Sequence, residues 1–437
     1  MTQPPGATGP HLPEGPYLTA QELRRWDSER PLEGWSQCHD RYGPIFTLHA
    51  EGASDRVFVS DPAALHELFV ANRAVWGSRG SQYFKPVIGA QSLPYISGER
   101  HREVRRMLMR ALHGKPVRAL APDIAGIVAA ALDGLRGRTT PLIEFTHDIT
   151  LRVIVRVAFG ALEPERAEQC VAVLTEIMHL MYEPEGTPHT DQGDSTRRLD
   201  HLIGEVQDIV TAEAATARSA QSIPRDDLLF HLAANLPAEA DHQIRGHIMS
   251  LLIAGHDTTA NALAWAIIQL DRDPAIRKRL TAETTDDNPY LAAVCAETLR
   301  HGSVVPLGIA RIVPEQLNWS DFRIPAGTEL VANIHRVHHR DDLYPDPEEF
   351  RPERFLGRKP PGTHYLPFGT GTRRCPGAEL AEFELATTLP PIVATPGLRL
   401  SGAGPEVRTV KNGPTMAVPR SVLVTVITPE LPKAGPS

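Results

Sequence analysis

The chain lacks any run of about 18 consecutive apolar residues, the length a helix needs to span a bilayer. Its opening segment, MTQPPGATGPHLPEGPY, lacks both the basic start and the apolar stretch of a secretory leader. These absences predict a cytoplasmic protein with no membrane anchor. The balance of 53 acidic against 45 basic residues, net −8, withholds the positive field needed to wrap a polyanion and argues against a nucleic-acid partner. Cysteine is scarce and scattered: Cys38, Cys170, Cys295 and Cys375 form no CxxC pair and no short repeating spacing. That excludes the pattern of a disulfide framework and of a four-sulfur zinc site, so each cysteine has to be read alone.

What is present is an ordinary globular composition, 41% apolar and 22% charged, over 437 residues. A prior of about 150 residues per domain suggests roughly three domains. No internal repeat and no convincing linker occurs between 43 and 430, so the pattern instead predicts one unit over 18–437 behind a flexible, Pro- and Gly-rich arm at 1–17. Hairpin signals at IFTLH and RVFVS precede Asp61 and Pro62, which suit a helix start. From about 98 to 270 the periodicity is helical, ending in a segment of about 30 residues, DHQIRGHIMSLLIAGHDTTANALAWAIIQL. Asp241, Arg245, His256 and Asp257 make it too polar for a membrane span, which places it through the centre of a helical domain. A further helix covers 288–302, strand-like pieces follow at ARIV, DFRI and TELVAN, and strands return at VRTV and VLVTVIT. The fold class expected is mainly α with a small β-rich portion.

The strongest local signal is YLPFGTGTRRCPGAELA, residues 365–381. Glycines allow a tight turn, and the helix expected to start at Pro376 follows the cysteine directly. A thiolate at a helix start is stabilised by the dipole and free N–H groups, each worth roughly 0.3–1 kcal/mol, and so can stay ionised and ligate a metal. In LLIAGHDTTA (251–260), small residues Ala254 and Gly255 adjoin Asp257 and Thr258. A mid-helix glycine costs about 1 kcal/mol against alanine, which invites a steric reason such as room for a flat ligand or dioxygen. Thr258 is placed to donate its hydroxyl to a nearby backbone carbonyl. On 288–302, Glu297 and Arg300 share a helix face three residues apart.

Taken in order, these segments resemble the cytochrome P450 family. Phe368, Gly369, Gly371, Arg373, Cys375 and Gly377 match its signature FGxGxRxCxG position for position. AGHDTT resembles its oxygen-binding pattern, and HxxxR, ExxR and PERF occur in the family's order, so that the resemblance covers about 30–430. It implies a triangular, prism-like helical domain around haem b, with Cys375 ligating the iron and donating electron density that favours O–O cleavage. It implies that Phe368 packs beside the ligand loop, that Gly377 is among the haem-binding residues, and that His101, Arg105, Arg311 and Arg373 surround the haem carboxylates. Asp257 and Thr258 would relay protons to dioxygen. Glu297, Arg300 and Arg354 would form a buried structural network. His256 points about 100° away from Asp257 on the helix, which fits packing or exposure better than solvent-side proton entry. His335, His338 and His339 suggest a zinc cluster at first sight, but no HExxH or comparable arrangement completes it.

The same resemblance assigns substrate contacts to 77–96, 171–200, Ser250, Ile253, Ala254, Val305, Leu307 and a turn near GPTM (413–416). The implied activity is hydroxylation or epoxidation of an apolar organic substrate with O2, in natural-product metabolism, by a protein working as a monomer. Electrons would come from a ferredoxin or flavodoxin with its reductase, since no flavin or iron–sulfur domain is appended. Oxidative coupling, desaturation and peroxide-driven oxidation share the scaffold, and a non-enzymatic haem sensor is the reading from a different class.

Overall fold

Asp61 accepts from the Ala64 amide and Pro62 follows it, so the helix Pro62–Leu65 starts where the Asp-Pro pair predicts. Asn288 caps Pro289–Gly302 through the Leu291 amide in the same way, and Asp273 caps Pro274–Ala282. The computed structural model describes residues 12–29, 31–71, 77–78, 84–182, 192–219, 225–283 and 288–427. Among these, long helices dominate: Gly98–Leu112, Ala121–Gly134, Leu142–Phe159, Pro164–Tyr182, Gln192–Arg218 and the central helix Asp241–Arg272. The last is 32 residues long, and every residue from Thr259 to Leu270 is buried. A helix apolar on all sides has to be enclosed by others. It packs along Leu142–Phe159, and a Cβ on Gly255 would sit 2.5 Å from Ile154 Cδ1. The missing side chain at Gly255 is therefore filled by a neighbouring helix, which corrects the expectation that it makes room for a ligand.

The β portion is small. Five strands lie in the order Tyr17–Leu18, Ile45–Ala50, Arg56–Val59, Glu329–Ala332 and Arg311–Ile312, with Phe46 opposite Phe58 and Val57 opposite Leu330. The carbonyls of Glu14 and Pro16 accept from the Thr47 and His49 amides. A Cβ on Gly15 would overlap the Thr47 carbonyl, so only glycine lets the chain lie this close. The expected flexible arm is thus pinned to the sheet along its second half; residues 1–11 lie outside the described residues. A second sheet joins Thr139–Pro141, Leu423–Val426 and Leu398–Ser401, and a hairpin pairs Val410–Asn412 with Thr415–Ala417. Of the VRTV segment only Val410 enters a strand, because Val407 turns back to the Gly404 carbonyl.

Glu297 and Arg300 are fully buried and bidentate, at 2.6 and 2.8 Å. Arg300 also donates to the carbonyls of His338, Pro347 and Glu349, while Glu297 accepts from the Arg351 amide. Arg354 approaches Glu297 at 3.4 Å through Nε, and its outer nitrogens hold the Pro345 and Asp346 carbonyls. One ion pair therefore fastens the whole 338–354 excursion to helix Pro289–Gly302. The histidines of that excursion carry structure. His338 Nε2 accepts from the Leu366 amide, His335 Nδ1 lies 3.0 Å from Ser303 Oγ, and His339 Nδ1 donates to the His335 carbonyl. Burial holds all three imidazoles neutral, His339 down to about 4.

Glu297→Gln keeps the shape but strands the Arg300 charge. Urea unfolding is expected to show a loss of about 3–5 kcal/mol; a loss below about 1 kcal/mol would show that the pair is not the fastening.

Candidate functional site

The cysteine loop runs from Leu366, anchored by His338, to the helix Ala378–Ala394. Gly369 and Gly371 both have positive φ, at 66° and 64°, which L side chains adopt only under strain. At Gly371 the demand is also steric, because a Cβ would overlap the Phe69 carbonyl. The loop closes with the Cys375 amide donating to the Phe368 carbonyl at 2.8 Å. The helix begins at Ala378 and not at Pro376 as expected: Pro376 and Gly377 form a turn, with Gly377 as the residue before the first helical one. Burial pushes the Cys375 thiol up, against the Gly377 amide and the positive charges of Arg105 and Arg374, which favour the thiolate. The turn therefore does what the sequence reading asked of the helix start, since it aims an N–H at the sulfur.

Three arginines and a histidine gather near this loop. His101 and Arg105 come from Gly98–Leu112, Arg311 from the edge of the larger sheet and Arg373 from the loop itself. Burial, then Arg373 and Arg105, depress the His101 pKa to about 4. Burial and Arg373 bring Arg311 down to about 10, and burial alone does so for Arg373. Each group thus feels the positive charge or the dry surroundings of the others. Arg311 donates to the carbonyls of Phe69 and Thr370, and Arg373 to those of Leu93 and Ile96. His101 is 2% exposed, and its Nδ1 has no hydrogen-bond partner among the described residues. Clustered cations beside an unsatisfied buried imidazole suit a ligand with carboxylates, and a thiol able to ionise close by suits an iron. The donor set fits haem b. Phe368 is partly buried and packs under the Arg374 guanidinium, 5.8 Å from its ring centre, at the start of the loop.

On the central helix, Ser250, Leu251, Ala254, Gly255 and Thr258 stay accessible between His247 and Leu270, while every other residue there is buried. They repeat at i, i+4 and i+8, so they form one stripe of accessible positions along the helix. Ile253 is 2% exposed and packs in the hydrophobic core. Leu307 packs against the cluster around Trp35 and Phe58, and both it and Val305 stay partly accessible. Of the other expected pocket segments, 79–83 and 183–191 lie outside the described residues.

Thr258 Oγ1 donates to the Ala254 carbonyl at 2.8 Å, as expected. It is not alone. Thr259 donates to the Gly255 carbonyl, Thr150 to that of His256 and Asn261 to that of Asp257, so four consecutive carbonyls each take a side-chain donor. Asp257 is 1% exposed. Its Oδ1 lies 3.1 Å from His147 Nε2 and 3.2 Å from Asn261 Nδ2, and its Oδ2 accepts from Thr415 Oγ1 at 3.0 Å. Burial raises its pKa, but the His147 hydrogen bond and the remaining partners outweigh it and hold the carboxyl below its usual range. His256 is buried, with Nδ1 2.8 Å from the Leu252 carbonyl, in keeping with packing. His147 and Asn261 escaped the sequence reading, and Thr415 was singled out only within the GPTM turn expected near the substrate, not as a partner of the acid. Asn261 lies at i+4 from the acid and was open to detection by helix spacing; His147 and Thr415 are 110 and 158 residues from it, so their pairing with it gave no local signal.

The sequence model of the family described as Cytochrome P450 matches residues 10–395. "Putative cytochrome P450 135B1" of Mycobacterium tuberculosis is 32% identical over 403 residues, covering 88% of this chain and 85% of that protein. "Abscisic acid 8'-hydroxylase 1" of Oryza sativa subsp. japonica is 27% identical over 87% of this chain and 82% of that protein. The solved structure titled "Retinoic acid bound cyanobacterial CYP120A1" superposes with a TM-score of 0.79 at 25% identity, covering 95% of this chain and 99% of the other. The mainly helical architecture with small sheets is the one these relatives have. Among the described residues no helix is long and apolar enough to cross a membrane.

Gly371→Ala forces a side chain into the Phe69 carbonyl and a strained φ. The expected outcome is a loss of more than about 1–2 kcal/mol in urea unfolding together with reduced haem retention on gel filtration; unchanged retention would show that the loop yields freely.

Proposed function

Because the chain belongs to the cytochrome P450 family and has that family's monooxygenase architecture, we propose that it inserts one atom of O2 into a mostly apolar organic substrate by hydroxylation or epoxidation. The observation that carries this is one loop bringing the Cys375 thiol, with an amide and two guanidinium charges favouring its ionised form, beside four groups suited to two carboxylates. Cys375 ligates the iron; His101, Arg105, Arg311 and Arg373 hold the propionates. Haem b supplies the iron that activates dioxygen, and a thiolate ligand favours O–O cleavage.

The rest of the work falls to the protein. The stripe through Ser250, Ala254 and Thr258 presents small side chains to the substrate, with Val305 as a further wall, and the apolar surroundings exclude water. Thr258 Oγ1 donates at the end of that stripe, and Asp257 Oδ1 and Oδ2 form the acid behind it. Glu297, Arg300 and Arg354 hold the backbone from which the cysteine loop springs. Relatives named for abscisic acid hydroxylation and for bound retinoic acid support a small, mostly apolar substrate from natural-product metabolism. We assign residues 18–437 to one catalytic unit, active as a cytoplasmic monomer with electrons from a separate ferredoxin or flavodoxin and its reductase.

The reduced carbon monoxide complex is expected to give the red-shifted Soret band of thiolate ligation, and Cys375→Ser to abolish it. Haem-loaded, folded protein without that band would overturn the proposal. Thr258→Ala should keep the band but raise the peroxide formed per electron consumed several-fold; coupling equal to the parent's would remove Thr258 from the proton path.

A further inference from the structure

Asp257 is sealed from bulk water, so every proton it delivers has to arrive through a neighbour. Its side-chain partners include the Asn261 amide and the buried Thr415 hydroxyl, both shielded from solvent. They also include His147, whose side chain is 28% exposed and whose Nε2 touches Asp257 Oδ1. It lies in helix Leu142–Phe159, where its accessible neighbours Glu144 and Asp148 are at the surface, paired with Arg420 and Arg152. His147 therefore spans from water to the buried acid in one side chain.

We propose, resting on the function above, that His147 is the proton entry to Asp257, acting as a positioning residue through that carboxylate. One ring nitrogen takes a proton from bulk water while Nε2–H passes its own to Asp257 Oδ1, and the tautomer resets once Asp257 has handed the proton on. No electrons move, and charge balances at each exchange. Imidazole is the side chain suited to this, because it both donates and accepts near neutral pH. The groups facing His147 are Asp257 and His256 of the central helix, whose ring centre lies 5.6 Å away, and Glu144 and Asp148 of its own helix. Both helix-mates are neutralised by arginines, and burial depresses the His256 pKa to about 4, which leaves it unable to serve as the charged relay. His147 thus reaches both water and the acid.

The test uses haem-loaded protein, with NADPH consumption supported by a surrogate plant-type ferredoxin and reductase. His147→Gln keeps a donor for Asp257 but cannot shuttle protons. It is expected to slow consumption by roughly ten-fold or more, to flatten the pH profile and to enlarge the H2O/D2O ratio. Because His147 acts only through Asp257, the double variant H147Q/D257N should be no slower than D257N. A second readout does not depend on turnover. In His147→Ala the largest influence favouring the carboxylate is gone and burial is opposed only by the remaining partners, Thr415 and His256 among them, so the infrared band of the protonated carboxyl, assigned by its loss in D257N, should appear at neutral pH. Parental rate and pH profile in H147Q, multiplying effects in the double variant, or no carboxyl band in H147A would each overturn the proposal. The carbon monoxide spectrum separates this from the parent reading: a thiolate band in every variant leaves the haem assignment standing whatever His147 does.

Discussion

A guanidinium in the dry interior has more donors than one carboxylate can satisfy, and Arg300 uses the excess. Glu297 takes two of its N–H groups, and carbonyls at His338, Pro347 and Glu349 take the others. Those carbonyls belong to a stretch with almost no regular structure, which has no hydrogen-bonded ladder to keep its shape. Its form is borrowed from the helix Pro289–Gly302. His338 passes the restraint on, since its carbonyl meets Arg300 and its ring accepts from Leu366 at the mouth of the cysteine loop. The position of the sulfur thus depends on an ion pair that never touches it.

The site also divides its charges by depth. Cations crowd the cysteine loop with carbonyls as their visible partners, while the acid of the central helix has neutral donors and one partly exposed imidazole among its partners. Positive groups are collected where an anionic ligand belongs, and the buried Asp257 has none of them among its hydrogen-bond partners described above. Neither arrangement is favourable by burial alone, and each makes chemical sense only when the other half of the reaction is supplied.

Much of this was legible in the sequence. Helix starts at Asp61, Asp273 and Asn288 follow from capping chemistry, and the buried length of the central helix follows from its lack of a polar face. The cysteine loop was readable because its glycines, aromatic residue and sulfur are contiguous. Illegible features were those fixed by tertiary approach. Gly255 reads as a gap and is in fact the seat of Ile154. His147 carries no motif, and only the crossing of two helices brings it to Asp257. The Pro- and Gly-rich arm reads as loose because composition does not reveal the sheet edge that receives Glu14 and Pro16.

The four consecutive carbonyls that take side-chain donors give the central helix an uneven stiffness. Where an acceptor already holds a second partner, lengthening its bond to the amide one turn on forfeits little, since the oxygen stays engaged. From Ala254 to Asp257 each helix carbonyl therefore keeps a partner even when its bond along the ladder is stretched.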